Sequence, residues 1–581
     1  MTLCCEERFR SAIARALTLD ERLQRHVARE RDDGDANQQK RLQLWRSSFA
    51  STRSWAEFLR TKKISESELI GLRSVRNVIQ CDLPWISVLK DIWIHVEGCD
   101  FQASVTRTIA EEVARPVVDY AWRELSSQQQ MSGVFSPQAA VGLRRSLLHR
   151  LMFTAKRVLA WQMQVAVADV RTAQAIKTGH DFRRLFFSNG VSQRVVDLFN
   201  SHPALARLWA VQTQFWIQFT QDFARNAVHF GRWLGVRDRR GYLIASVVPD
   251  LSDLHSGNRS VLRVDFSTGV RYFYKSRSGQ QELAWFALLK WINRQGFSAP
   301  FRILEVSCRR DHCWMEAASK RPFRTRAQIK QFYFRAGALM YLLHLLRGVD
   351  FHAENLIAEE DQPVVIDCET LLHPTGFVPS FARSQDQSIL RTGLLPVDHA
   401  VEHTAFRGRS AVEVHGPAAG LDVGDVPAAC FSRDIIAGFF GMHSFLQTKC
   451  SRIRHVASVA TVLQKTSNRR IYRPSSEYYK FLEHSLAPSL TSNGLDRSIF
   501  LSAQCFRGQR PNRRHQTEIS ALENFDIPIF YCKSRPIRIE LSEKTMARSV
   551  AIIRSALDQR SQSFFSSSSS LWADHGDQVQ R

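Results

Sequence analysis

Two adjoining stretches hold the residues with the clearest chemical meaning: Gly348-Val-Asp350-Phe-His352-Ala-Glu-Asn355-Leu-Ile and Pro363-Val-Val-Ile-Asp367-Cys-Glu369. Phosphoryl transfer needs a carboxylate beside the attacking hydroxyl to orient it and take its proton. It also needs hard oxygen ligands that hold Mg²⁺ against the β- and γ-phosphates. An Asp and an Asn five residues apart on one tight loop, Asp350 and Asn355, supply the base and one metal ligand. A second Asp at the end of a following buried strand faces the same metal. Asp367 ends the run Val364-Val365-Ile366, 17 residues after Asp350. Either feature alone is common on protein surfaces. Both in this order, after an apolar helix ending near Leu346, point to phosphoryl transfer.

The same chemistry asks for a cation on a sheet upstream, aimed at the nucleotide phosphates. Arg271-Tyr-Phe-Tyr274-Lys275 alternates as a strand does and ends in Lys275, with Gly257 in a turn before the preceding strand. A lysine on a solvated strand edge would read the same way. Glu282, at the start of the next helix, is placed to pair with Lys275. No GxGxxG and no GxxxxGK[ST] is present, so the glycine cradles of protein kinases and P-loop enzymes are both missing. Asp253-Leu-His255-Ser-Gly257-Asn-Arg259 stands in their place, and glycine cradling does not explain its Asp, His and Arg.

The elements that must position these groups are legible from periodicity. Up to about Arg237 the chain is predicted to be helical, with stripes at i, i+3, i+4 and i+7 over Leu42–Leu59, Glu111–Leu125, Val141–Val170 and Arg194–Phe230. Arg31–Lys40 reads as a solvated loop. Short β-runs follow at Tyr242–Pro249, Ser260–Phe266 and Val270–Tyr274, with Ser267-Thr-Gly269 as a hairpin turn. A helix over Gln281–Asn293, a strand pair around Arg302–Ala317 and a long apolar helix over Ile329–Leu346 complete an α+β order. Helical periodicity returns from Asp434, interrupted by a Pro/Ser-rich connection at Tyr472–Ser476, and Ser561–Arg581 reads as a disordered tail.

Composition narrows the class. The 581 residues carry 79 Lys plus Arg against 56 Asp plus Glu, a net charge of +23, and 44% hydrophobic residues, which is ordinary globular usage. No apolar run approaches the roughly 18 residues of a membrane span, and Met1–Arg10 lacks the apolar core of a secretory signal, so a cytoplasmic protein is expected. Eleven cysteines without a CxxC pair argue against a disulfide framework or a structural zinc site; Cys308, His312 and Cys313 come nearest to a cluster. The basic residues are spread along the chain, so the charge suits an acidic peptide or phosphate ligands. No helix-turn-helix, finger or RNP signature favours nucleic acid.

Taken together, the motifs resemble the dehydratase domain of class II lanthipeptide synthetases. The resemblance is carried by Asp253-x-His255-x-Gly257-x-Arg259, Tyr274-Lys275-x-Arg277, Asp350-x-His352-x-Glu354-Asn355 and Ile366-Asp367-x-Glu369-Thr370. Ser388-Ile-Leu-Arg-Thr-Gly-Leu-Leu-Pro396, Arg469-Arg-Ile-Tyr-Arg473-Pro-Ser475 and Asp526-Ile-Pro-Ile-Phe530 follow in the same order, so that it covers roughly residues 200 to 560. It implies a kinase-like catalytic region with large helical N- and C-terminal additions. The implied activity phosphorylates Ser and Thr of a precursor peptide with ATP and Mg²⁺, then eliminates the phosphate to leave a dehydroamino acid.

By motif, the resemblance makes Asp350 the base, Asn355 and Asp367 the Mg²⁺ ligands and Lys275 the nucleotide contact. Gly257, Arg259 and Glu282 join Lys275 on the nucleotide side. Asp253, His255 and His352 support the catalytic arrangement, and Glu369 belongs to the catalytic set. Arg469 and Ser475 serve elimination, in which a cation stabilises departing phosphate. Ser475 stands where the family has Thr; it keeps the hydroxyl and loses the methyl that restricts its rotamer.

Full-length members continue into a cyclase domain with a zinc site of Cys and His, and the cysteines read here offer no such site. The resemblance therefore implies either a stand-alone dehydratase or a truncated synthetase, with no zinc expected and ring closure, if it occurs, supplied by a separate protein. The expected organisation is a helical region over 1–237, a kinase-like core over 238–433, a helical region with the elimination residues over 434–560, and the tail over 561–581. The expected partner is a precursor peptide whose acidic leader segment holds to the basic surface. The competing readings are a peptide or small-molecule kinase that stops at the phosphoester, and a non-catalytic scaffold that binds a leader peptide.

Overall fold

A computed structural model of the chain describes residues 3–24, 35–73, 82–104, 106–128, 131–168, 179–235, 243–351, 353–373, 389–395, 428–448, 466–507, 509, 511–533 and 546–557. The chain forms two compact units. The first comprises Met1–Val270 with Glu477–Pro528, the second Arg271–Ser476 with Ile529–Arg581.

The first unit is mostly helical. The stripe read over Leu42–Leu59 is two helices, Asp35–Ser47 and Thr52–Lys62, so the loop read at Arg31–Lys40 gives way to helix from Asp35. The break between them is a cap: the Ser51 hydroxyl accepts the Ser54 N–H, while the hydroxyls of Ser47 and Ser48 turn back onto the Leu44 carbonyl. The stripe over Arg194–Phe230 is likewise divided, into Gly190–Ser201 and Pro203–Trp233. Pro203 has no N–H to continue the first helix and sits at the first turn of the second, where none is needed. Helices Ile109–Ser126 and Pro137–Ala168 lie where periodicity placed them.

The short strands β1 (Ile244–Val248) and β2 (Leu262–Phe266) pair antiparallel. The turn that follows is closed by the Phe266 N–H on the Val270 carbonyl at 2.9 Å, with Gly269 at φ 87°. The segment Glu477–Pro528 shares one apolar core with the N-terminal helices: Trp45, Phe58 and Leu208 pack with Phe481, Ile499 and Leu522. Burying such side chains contributes roughly 2–3 kcal/mol each, enough to draw segments hundreds of residues apart into one body.

The second unit is built on three antiparallel groups of strands and a buried helix. Strands β3 (Arg271–Lys275), β4 (Val306–Cys308) and β5 (Cys313–Glu316) pair with β5 in the middle, Lys275 lying opposite Cys313. The helix Gln280–Arg294 follows β3. The apolar helix Arg326–Leu345 opens with a Thr325–Gln328 capping box and buries Phe332, Tyr333, Leu339, Leu342 and Leu343. Its end is fixed by a Schellman arrangement: Arg347 is left-handed at φ 50°, its N–H reaches the His344 carbonyl, and the Gly348 N–H reaches that of Leu343 at 2.8 Å.

Strands β6 (Leu356–Glu359) and β7 (Gln362–Val365) then form a hairpin. Where only helical periodicity was read beyond Asp434, the structure has in addition β8 (Ser467–Arg469) paired with β9 (Tyr531–Lys533). Three-residue strands are too short for alternation to show. Val170 and Ser561–Arg581 lie outside the described residues, and among the described residues no helix is long and apolar enough to cross a membrane.

Helix Arg326–Leu345 is held by a reciprocal glycine contact with helix Ser432–Thr448. A Cβ on Gly337 would lie 1.9 Å from the Ile435 carbonyl oxygen, and one on Gly438 would lie 1.8 Å from that of Phe334. Neither oxygen can yield without moving its helix. Gly337→Ala and Gly438→Ala are each expected to destabilise the second unit by about 3 kcal/mol, despite alanine's better helix propensity. Denaturant unfolding of the full chain checks this; variants as stable as the parent would refute the close approach.

Candidate active site

The helix ending at Leu345 delivers the chain directly into the Asp350 loop, and backbone hydrogen bonds hold that loop on both sides. The Phe351 N–H donates to the Thr392 carbonyl at 2.8 Å, and the Thr370 hydroxyl to the Val349 carbonyl at 2.5 Å. Between them Asp350 is left-handed at φ 68°, a conformation that costs a non-glycine residue about 1 kcal/mol and is concentrated at functional sites. The Asn355 amide nitrogen donates to the Asp350 carbonyl at 2.8 Å, closing the loop and leaving the amide oxygen of Asn355 without a partner among the described residues.

Register brings Asn355 opposite Ile366, one position from Asp367. Leu356 pairs with Val365, so the next positions outward are Asn355 and Ile366, joined by an N–H···O bond of 3.1 Å. Asp367 follows immediately. Every contact of its carboxylate with described residues is made by Oδ1: Arg277 Nη2 at 2.7 Å, the Glu369 N–H at 3.3 Å and Lys275 Nζ at 3.9 Å. Oδ2 has none among the described residues, and the side chain is about a third exposed.

Lys275 ends β3 and turns its ammonium inward, onto Glu282 Oε1 at 3.1 Å and the Ile366 carbonyl at 2.7 Å. Burial alone would lower its pKa, yet the Asp367 and Glu282 carboxylates more than offset this and hold it above the ordinary lysine range. Glu282 is fully buried; burial opposes its ionisation, but Arg277 and Lys275 draw its pKa down to about 2. The stability this depressed carboxylate contributes is present above its unfolded value near 4.5 and lost as pH falls toward 2, so the pair stays charged at any physiological pH. Removing it leaves the buried Lys275 and the half-buried Arg277 short of a partner. Glu282→Ala is expected to destabilise the second unit by about 3–5 kcal/mol, read by denaturant unfolding; a loss below 1 kcal/mol would refute the pairing.

Arg277 is the residue that sequence reasoning quoted in a motif and left out of the site. Its guanidinium reaches Glu282 at 2.6 Å, Asp367 at 2.7 Å and Glu369 at 3.0 Å. The available signal was its position two residues beyond Lys275, where the chain leaves the strand. Glu369 in turn binds Arg469 Nη1 through Oε1 at 2.5 Å, and its carbonyl accepts the Arg469 N–H at 2.8 Å. Burial would lower the pKa of Arg469, but Glu369 foremost, with Asp350 and Asp367 behind it, raises it. Three cations and three carboxylates thus interlock in the second unit, with Asp350 close enough to act on Arg469.

Asp253, His255, Gly257 and Arg259 belong to the first unit. There the Asp526 carboxylate accepts the Gly257 N–H at 2.6 Å and the Asn258 N–H at 3.0 Å, while His255 Nδ1 donates to the Ile527 carbonyl at 2.7 Å. Gly257 is at φ 90°, between the left-handed Ser256 and Asn258. Arg259, expected beside phosphate, is paired with Asp222 at 2.6 Å. Ser475 is the half-buried first residue of helix Ser475–His484. His352 lies outside the described residues.

Among the described residues no three or more His, Cys, Asp or Glu side chains are gathered to hold a metal ion. The Oδ2 of Asp367 and the amide oxygen of Asn355 are hard donors on neighbouring backbone positions. Such a pair fits a Mg²⁺ that takes its remaining ligands from phosphate and water.

Comparison with known proteins places the chain. A family profile described as a domain of unknown function, DUF4135, matches residues 202–420 and 406–533, together more than half the chain. The chain belongs to the DUF4135 family. This DUF4135 chain is also similar to the lacticin 481/lactococcin biosynthesis protein LcnDR2 of Lactococcus lactis subsp. lactis, with 21% identity over 335 residues. The match covers 48% of this chain and 35% of LcnDR2, so the chain spans about a third of the length of that curated relative.

Proposed function

We propose that this DUF4135 protein is a lanthipeptide-maturation enzyme. Its second unit acts as a kinase-like centre that phosphorylates Ser and Thr hydroxyls of a ribosomally made precursor peptide and then eliminates the phosphate. The single observation that carries the reading is the convergence of Lys275, Glu282, Asp367, Glu369 and Arg469 into one ion-paired cluster, beside an Asp350 loop closed by Asn355. The similarity to a lacticin 481 biosynthesis protein supports the substrate class.

In this reading Asn355 and Asp367 would hold a Mg²⁺, whose charge would offset that of the ATP phosphates. Asp350 accepts the proton of the attacking hydroxyl while the new O–P bond forms and the bond to ADP breaks. Lys275, kept in place by Glu282, binds the nucleotide phosphates. In the second half-reaction the Cα proton is removed, the C=C bond forms, and the Cβ–O bond breaks with its electron pair leaving on phosphate. Arg469 stabilises that departing charge. The site is dense in fixed charges, so little solvent reorganisation is needed in either step.

Co-expression with a small peptide gene adjacent to this one tests the reading. Intact-mass measurement should show a loss of about 18 Da per modified residue; a stable gain of about 80 Da would instead mark a kinase that stops at the phosphoester. Unmodified peptide from the parent enzyme, together with no binding of Mg·ATP, would favour the non-catalytic scaffold.

A further inference from the structure

Arg277 has no part in the chemistry assigned above, yet it is the most connected side chain of the cluster. Its Nη2 lies on both Glu282 and Asp367, at 2.6 and 2.7 Å, and its Nε lies on Glu369 at 3.0 Å. These carboxylates come from two places: Glu282 from the first turn of helix Gln280–Arg294, Asp367 and Glu369 from the segment after β7. The guanidinium meets them from two separate nitrogens of one rigid plane, Nη2 and Nε, whereas the three donors of an ammonium all sit on a single nitrogen at the end of a flexible stem. We infer that Arg277 is a positioning residue that couples the two half-reactions, fixing Asp367 on the metal side and holding Glu369 against Arg469 on the elimination side. The inference rests on the functional reading above.

The charge arithmetic shows why the two steps should respond differently. Lys275, Arg277 and Arg469 face Glu282, Asp367 and Glu369, three positive groups against three negative. Without Arg277, Asp367 keeps Lys275 nearby and Glu282 keeps its hydrogen bond from the same ammonium. Glu369 loses its second cation, and the partly exposed Asp367 carboxylate becomes a competing partner for Arg469. Arg469 is then drawn away from the departing phosphate. Phosphoryl transfer should weaken modestly and elimination severely. Asp367 also loses a cation that opposes a metal ion, so divalent-ion binding should tighten.

The experiment uses the full chain with the co-expressed precursor peptide, comparing the parent, Arg277→Lys and Arg277→Gln, with Mn²⁺ plus ATP as a spectroscopic probe of the metal site. Both variants should shift the ratio of phosphopeptide to dehydrated peptide by at least about tenfold toward phosphopeptide, the effect of losing one charge-assisted hydrogen bond. Arg277→Lys should not rescue it, and Mn²⁺ affinity should equal or exceed that of the parent. Should Arg277→Gln fail to fold, the charge-conserving Arg277→Lys decides the matter. A parental product ratio in Arg277→Lys, or loss of both steps in proportion, would overturn the inference while leaving the functional reading intact. A parent enzyme that modifies no peptide would overturn the functional reading and the inference with it.

Discussion

Asp350→Asn is expected to leave the precursor peptide unmodified, with neither phosphate added nor water lost. The substitution is isosteric, and the hydrogen bond that closes the loop uses the Asp350 backbone carbonyl, so Asn355 keeps its place. What disappears is the carboxylate that orients the substrate hydroxyl and takes its proton, a contribution of roughly 10²–10⁴-fold for a positioned general base. Single-turnover transfer of labelled γ-phosphate to the peptide measures it directly. Thermal unfolding should match the parent, because the left-handed backbone at position 350 is tolerated by Asn at least as well as by Asp. Transfer within about tenfold of the parent would remove Asp350 from the role of base, since proton acceptance normally counts for more.

Arg469→Ala should give the opposite phenotype, accumulation of phosphopeptide. Its guanidinium is the cation placed on Glu369 at the edge of the cluster, and elimination leaves two negative charges on phosphate that some cation must meet. Loss of one such group from a preorganised site typically lowers the rate by about 10²–10³-fold. The first half-reaction keeps Lys275, Asp350, Asn355 and Asp367. Glu369 is not orphaned either, because Arg277 still binds it at 3.0 Å, so the variant should fold. Intact-mass spectra of the co-expressed peptide should show the species heavier by about 80 Da in place of the dehydrated one. Unmodified peptide from this variant would instead assign Arg469 to phosphorylation or to the fold.

The positions of Asp350, Asn355 and Asp367 were legible because each follows from local geometry. A capped apolar helix ends before the loop, and a hairpin of two four-residue strands returns the chain by a fixed register, so the five-residue and 17-residue spacings translate into neighbouring backbone positions. Lys275 and Glu282 were legible for the same reason, as the end of a strand and the start of the next helix. Arg277 was not. An arginine two residues past a strand end is equally at home in water, and nothing local reveals that three carboxylates, two of them buried, will converge on it. The strands β8 and β9 escaped notice because 61 residues separate Arg469 from Phe530, whose carbonyl anchors the Arg470 N–H, and each strand is only three residues long.

The primary structure alone determined the chemical vocabulary of this protein: which carboxylates, amides and cations are available, and the spacing of those that share a loop or a hairpin. Short-range steric and hydrogen-bonding rules are enough for that, since they act over a few residues. The tertiary structure decided which distant segments share a body. Glu477–Pro528 joins the N-terminal helices, whereas Arg469, only a few residues earlier, docks on Glu369 in the other unit. Apolar burial is non-directional and carries no label of sequence distance, so only the packed cores settle which helices it gathers. A buried charge cluster follows the same logic, because each of its members is stable in low dielectric only once all the others have arrived.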